Sequence, residues 1–171
     1  MANRPDKYPM NKTIHKIYLL LDNIRSVHNV GSIFRTADGA GVSKIYCVET
    51  TPVPVDRFGR KRRDFAKVSL GAEQTVGWEH LGEGEVVKTI RKLKKEGFVV
   101  IAVEQDEDSV GLTELQTEKI AKKNILYIFG NEVGGVSPEI MKLADMIVEI
   151  PMNGTKESLN VSVTAGIILF R

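Results

Sequence analysis

The stretch Glu83–Val103, EGEVVKTIRKLKKEGFVVIAV, decides the fold class. Its first part sets Val86, Val87, Ile90 and Leu93 on one face of a helix and lysines and arginine on the other, and Gly97 stops it. The apolar run Phe98–Val103 follows without a polar break, as in a strand covered on both faces. A helix handing over to a buried strand is the repeating unit of a parallel sheet. The unit recurs on both sides. Upstream lie a strand at Ile17–Leu21, a helix carrying Val30, Ile33, Phe34 and Ala37, and a strand at Lys44–Glu49. Asn29 is the expected N-cap of that helix, and Gly39 or Gly41 its end. A polar loop, Thr51–Arg63, leads to a helical turn at Phe65–Leu70 and a strand near Thr75–Trp78. Downstream come a strand at Ile125–Phe129, a helix at Pro138–Ala144, a strand at Met146–Ile150 and a last helix from about Ser158. The pattern predicts an α/β fold, a mostly parallel sheet flanked by helices. Residues 1–16 read as a short leader and 17–171 as one domain, with no repeat or linker.

Composition narrows the function. The chain has 171 residues, 42% of them hydrophobic, enough for a real core. Its longest apolar runs, Phe98–Val103 and Ala165–Phe170, are far shorter than the roughly 20 residues of a membrane span. No apolar signal segment opens the sequence, so a cytoplasmic protein with no membrane partner is expected. Cys47 is the only cysteine, which excludes an intrachain disulfide and a thiolate zinc cluster. His15, His28 and His80 fit no metal spacing, so no metal is expected.

Net charge is 24 − 22 = +2, but the distribution is uneven. Residues 57–67, RFGRKRRDFAK, hold Arg57, Arg60, Lys61, Arg62, Arg63 and Lys67 against Asp64 alone. This loop suits an RNA backbone, with Phe58 and Phe65 as stacking groups; the alternative is a solvated charge cluster. Lys88, Arg91, Lys92, Lys94 and Lys95 read as the solvated face of their helix. The last helix carries Leu159, Val161, Val163, Ala165, Ile167, Ile168, Leu169 and Phe170 nearly all round. Such a helix must be buried, by a second copy of the chain or wholly within the monomer.

Ligands of open parallel sheets bind at the carboxyl ends of the strands. Three such ends are polar or glycine-rich here: Glu104-Gln105-Asp106, Gly130-Asn131-Glu132-Val133-Gly134-Gly135, and Pro151–Gly154 continuing to Glu157–Asn160. Gly130–Ser137 has the glycine spacing of a phosphate loop, but Val136 stands where the lysine belongs. The turn Val27–Ser32 lacks the dinucleotide fingerprint, and no Ser-His-Asp or Cys-His arrangement is legible. The residues alone indicate an α/β domain with a ligand cleft and a basic loop.

Three segments together resemble the SpoU/TrmH branch of the SPOUT superfamily of RNA methyltransferases. They are Asn29-Val30-Gly31-Ser32-Ile33-Phe34-Arg35-Thr36-Ala37, Ile128–Ser137, and Ile150-Pro151-Met152 followed by Glu157–Val163. The resemblance runs from about Ile17 to the C-terminus; Thr164 stands where the family often has alanine. It implies a deep C-terminal trefoil knot, a homodimer, S-adenosylmethionine as methyl donor, and a ribose 2′-hydroxyl of tRNA or rRNA as acceptor. By the same match, Glu104, Gly130, Asn131, Gly134, Ile150, Met152, Ser158 and Leu159 would hold the cofactor. Asn29, Arg35, Glu132, Ser158 and Asn160 would be the catalytic polar residues.

Methyl transfer from a sulfonium is an in-line displacement that needs positioning and loss of the hydroxyl proton. Arg35 suits a phosphate clamp that also stabilises a developing alkoxide, because guanidinium hardly ever gives up its own proton. Its structural alternative is an ion pair with Asp38 or Asp22; Asn29 and Ser158 would then be only caps, and Glu132 a loop carboxylate. An amide at Asn160 on so apolar a helix needs a partner. A non-catalytic RNA-binding module of this fold and an RNA base methyltransferase are the competing functional readings.

Overall fold

The structure, a computed structural model, describes residues 15–82, 84–115, 120 and 122–171. Most of the expected leader, and the expected first residue of the Glu83 helix, lie outside the described residues. In chain order the elements are β1 (Ile17–Asp22), α1 (Val27–Ala40), β2 (Lys44–Val48), α2 (Arg63–Ser69), β3 (Gly77–Leu81), α3 (Glu85–Lys95), β4 (Phe98–Val103) and β5 (Val110–Gly111). Then follow β6 (Asn124–Phe129), α4 (Pro138–Met141), β7 (Met146–Glu149) and α5 (Val161–Leu169). The strands form one seven-stranded sheet in the order β3-β2-β1-β6-β4-β7-β5. Every pairing is parallel, so all the carboxyl ends open on one edge. The predicted mostly parallel sheet flanked by helices is therefore what the chain forms.

Strand alternation divides the core. Leu19 and Leu21 face one side of β1 with Ile33, Phe34, Phe65 and Ala165 of α1, α2 and α5. Leu20 faces the other with Val86, Ile90 and Leu93 of α3 and Ile140 of α4. Both faces of the central strands are thus dry, which is why they read as unbroken apolar runs.

Helix ends refine the sequence reading. Ser26, not Asn29, caps α1: its hydroxyl accepts the Asn29 N–H at 3.2 Å, which leaves the Asn29 side chain inside the first turn with its amide free for other partners. Gly41, left-handed at φ 75°, ends α1. Asn160 rather than Ser158 caps α5, accepting the Ser162 N–H at 2.9 Å. The third strand runs Gly77–Leu81, later than expected, because its register is set by pairing with β2. Strand β5 was not expected; two residues carry no period, and only pairing with β7 makes them a strand.

Two contacts bear on the basic loop. The Thr51 hydroxyl, buried, donates to Leu21 O at 2.9 Å and accepts the Ile24 N–H at 3.1 Å, pinning the loop's start to the carboxyl end of β1. Phe65, expected as a stacking group, is instead fully buried in α2, edge-on to Phe34 with ring centroids 5.1 Å apart. It is a core residue. Gly31 permits this packing, since a Cβ there would lie 2.9 Å from Val68 Cβ.

Candidate functional site

The carboxyl ends of β4, β6 and β7 and the segment before α5 enclose a cleft of about 220 Å³. That is many times the space one water needs, so the cleft suits a small molecule rather than an ion. Its apolar wall is made by Val103, Phe129, Val148, Ile150, Met152, Leu159 and Val161. Glu104, Gly130, Asn131, Ile150, Met152, Ser158 and Leu159, all expected to hold the cofactor, line it. Gly134 does not; its N–H donates at 2.8 Å to the Asn131 side chain, which also accepts the Val133 N–H and so shapes the loop.

Close backbone approach explains the glycines. A Cβ on Gly130 would stand 2.0 Å from the carbonyl carbon of Gly135. A Cβ on Gly135, already at φ +64°, would stand 2.3 Å from Glu104 Oε2. That carboxylate accepts the Val136 N–H at 2.9 Å and the Gln105 N–H at 3.0 Å, tying the end of β4 to the loop after β6. Gln105 in turn donates to Glu157 O at 2.5 Å and holds the third loop. Asp22 does the same from β1, its buried carboxylate accepting the Ser137 N–H at 2.8 Å. Glu149 and Asp22 were missed as site residues in the sequence, although both stand at strand carboxyl ends where the ligand rule points; Gly135 was marked only as part of the glycine-rich loop.

At the mouth of the cleft three polar side chains meet from distant parts of the chain. Asn160 Nδ2 donates to Asn29 Oδ1 at 3.1 Å, and Asn29 Nδ2 donates to Glu132 Oε1. The Asn160 side-chain oxygen, Oδ1, is itself held by the Ser162 N–H and hydroxyl, which fixes which end of the amide faces Asn29. The result is an oriented amide–amide–carboxylate relay joining α5, α1 and the β6 loop. The relay gives one Glu132 carboxylate oxygen a fixed donor and leaves the other oxygen unbonded among the described residues. Ser158 lies on the same side, exposed and lining the cleft.

Arg35 is not brought to this group. It follows Asn29 by six residues, roughly 9 Å along α1 and turned well away from it. It is exposed, and among the described residues it forms no ion pair: Asp22 is occupied by Ser137, and Asp38 accepts from the Thr75 hydroxyl. Its own helix packs on α5, where Gly166 meets Thr36 and the Phe170 ring approaches Gly39.

The cleft's charge is one-sided. Glu104, Glu132 and Glu149 line it, and among the described residues no lysine, arginine or histidine does. Such a lining repels phosphate and favours a ligand carrying positive charge. Among the described residues no cluster of histidine, cysteine or acidic side chains is arranged to hold a metal. The basic loop leaves the sheet at the end of β2, on the same edge. In it Arg60 pairs with Asp56 and Arg62 with Asp64, while Arg57, Lys61, Arg63 and Lys67 are exposed and form no ion pair among the described residues.

The sequence model of the SpoU rRNA Methylase family matches residues 16–170. A tRNA (guanosine(18)-2′-O)-methyltransferase of Aquifex aeolicus is 32% identical over 161 residues, 94% of this chain and 70% of that protein. A 23S rRNA (guanosine-2′-O-)-methyltransferase of Nitrosomonas europaea is 34% identical over 158 residues, 90% of this chain; the chain spans 54% of that relative's length. The crystal structure of a TrmH/SpoU tRNA modifying enzyme of A. aeolicus matches with a TM-score of 0.76 at 31% identity, covering 93% of this chain and 74% of the other. An AdoMet-bound rRNA methyltransferase from Sinorhizobium meliloti matches with a TM-score of 0.78 at 27% identity, covering 92% and 57%. With the three-segment pattern, the all-parallel sheet and the glycine-built cleft, this places the chain in the SpoU rRNA methylase family.

Proposed function

We propose that the chain is an S-adenosylmethionine-dependent RNA methyltransferase that modifies a ribose 2′-hydroxyl of tRNA or rRNA as a homodimer. The observation that carries the reading is the Asn160–Asn29–Glu132 relay at the mouth of a cleft lined by carboxylates and, among the described residues, by no cation. The cleft's residues fit the cofactor: an apolar wall for a base, glycine-exposed backbone for its edge, and glutamates for its positive charges. The family membership and the printed activities of the relatives support the same chemistry. When bound, S-adenosylmethionine supplies the electrophilic methyl group.

The chain's own residues orient the acceptor. Asn29, itself held by Asn160, holds Glu132 at the cleft mouth, where its second carboxylate oxygen, Oε2, can accept a hydrogen bond from the ribose hydroxyl. Arg35 binds the neighbouring phosphate and stabilises the oxygen as its proton passes, late in the transfer, to the Glu132 carboxylate that accepts its hydrogen bond. Within one chain Arg35 is not among the residues that line the cleft, and this supports the dimer. Helix α5, packed on the helix that carries Arg35, leaves Val163, Ile167 and Phe170 50%, 38% and 65% exposed. A second copy seated there covers this apolar face and brings Arg35 to an interface. The threading of the loops after β6 and β7 as a trefoil knot, and a cytoplasmic location, complete the proposal.

Two measurements test it together. Calorimetry should show S-adenosylmethionine binding and no ATP binding, and labelled methyl should pass to bulk RNA with wild-type protein but not with Arg35→Ala. Absence of cofactor binding overturns the reading. Binding without transfer to any RNA fraction leaves a non-catalytic RNA-binding module.

A further inference from the structure

The tip of the basic loop presents an aromatic ring that the core does not use. Phe58 is 66% exposed, whereas Phe65 in the same basic stretch is fully buried. We infer that Phe58, flanked by Arg57 and Arg60, is a stacking platform for an unpaired nucleobase of the RNA, beside the cleft that acts on the ribose. The inference deepens the methyltransferase reading and rests on it.

The ring is held ready. The Asp56 carboxylate accepts the Phe58 N–H at 2.8 Å, the Arg60 N–H at 3.0 Å and Arg60 Nε at 2.8 Å. Gly59, left-handed at φ 76°, lets the chain reverse, and Val55 pairs antiparallel with Lys61 below the turn. The guanidinium carbons of Arg57 and Arg60 stand 4.8 and 5.0 Å from the ring centroid. Cation–π contacts of this kind contribute little at an exposed site, but they set the ring's orientation. A turn organised before binding loses little freedom when a base stacks on it.

The surroundings select the partner. Lys61, Arg63 and Lys67 are exposed and form no ion pair among the described residues, so a polyanion that reaches the ring meets unpaired cations along the same stretch of chain. One ring among cations offers too little apolar area for a protein interface. A nucleobase whose phosphates reach the neighbouring cations satisfies both features. A stacked duplex hides its base faces, so the platform reads single-stranded or extruded nucleotides. The loop springs from β2, two strands from β6, which puts its root roughly 10 Å from the cleft's nearest strand end. One RNA strand spans that distance in a few nucleotides.

The test uses the full chain, with a short oligoadenylate and a poly(A)·poly(U) duplex as probes. Phe58→Ala should weaken oligoadenylate binding about tenfold and leave duplex binding unchanged, because stacking needs an open base face. Phe58→Trp should restore it. The salt dependence should be the same in Phe58→Ala as in wild type and shallower in Arg57→Gln, which removes a phosphate contact. Equal loss on both RNAs, no loss on either, or a Phe58→Trp protein that behaves like Phe58→Ala overturns the platform. Displacement of oligoadenylate by polyglutamate of equal charge also overturns it, making the loop a general polyanion site. If binding follows Phe58 while no RNA accepts methyl, the platform stands and the methyltransferase reading fails. If methyl transfer proceeds and Phe58→Ala binds like wild type, only the platform fails.

Discussion

Asn160 has two roles whose chemistry separates cleanly. Its side-chain oxygen caps α5, and its amide nitrogen donates to Asn29. Asn160→Asp keeps the acceptor and loses the donor. The expected outcome is a melting temperature close to wild type with kcat/KM lowered roughly ten- to a hundredfold, the scale of a misplaced catalytic group. Asn160→Ala loses both, and the missing cap costs about 1 kcal/mol. A fall in Tm of roughly 2–4 °C for a chain of this size should accompany the lost activity. If Asn160→Asp retains full turnover, the relay is structural only. Cys47 gives a prediction of another kind: burial pushes its thiol up to about 12. At pH 8 roughly one native thiol in ten thousand is then ionised, and thiol reagents should label Cys47 only after unfolding. Because the folded value lies above that of a free thiol, this group's contribution to stability is complete below about pH 8.5 and declines as pH rises toward 12.

At the scale of elements, the cleft depends on loops that approach backbone to backbone. Gly130→Ala would drive a methyl group into the Gly135 carbonyl, so the β6 loop must move. Calorimetry should show cofactor binding weakened by at least about tenfold while the β-sheet signal in circular dichroism persists, since the strain sits in a loop outside the strands. Undiminished binding would mean that the loop does not form the site. The strands themselves were legible, because β1, β4 and β6 are buried on both faces and long enough to show it. The start of α1 was not. Serine and asparagine both cap helices, and what frees Asn29 from that role is contact with Glu132 and Asn160, residues over a hundred positions away. Strand β5 and the clamps from Asp22 and Glu104 depend in the same way on partners distant in sequence. The three segments marked which polar residues to watch. Arg35's separation from Asn29 follows from their spacing on one helix, whereas the burial of Phe65 and the one-sided charge of the cleft needed three dimensions.

For the whole molecule, the uncovered face of α5 makes assembly testable. Val163 is half exposed and points away from the monomer core, so Val163→Glu should leave the monomer folded. A charge buried without a partner would break a dimer formed there. Sedimentation should show a monomer, and methyl transfer should fall with the dimer if Arg35 serves an interface. A dimeric, active Val163→Glu protein would move the interface elsewhere.

The central claim is the position of the methyl group on RNA. The most direct measurement incubates the protein with labelled S-adenosylmethionine and total unmodified RNA, digests the RNA to nucleosides, and separates 2′-O-methyl from base-methyl products. Label should appear in a 2′-O-methyl nucleoside and vanish with Arg35→Ala. Label in a methylated base, or cofactor and RNA binding with no label, would contradict ribose methylation by this chain.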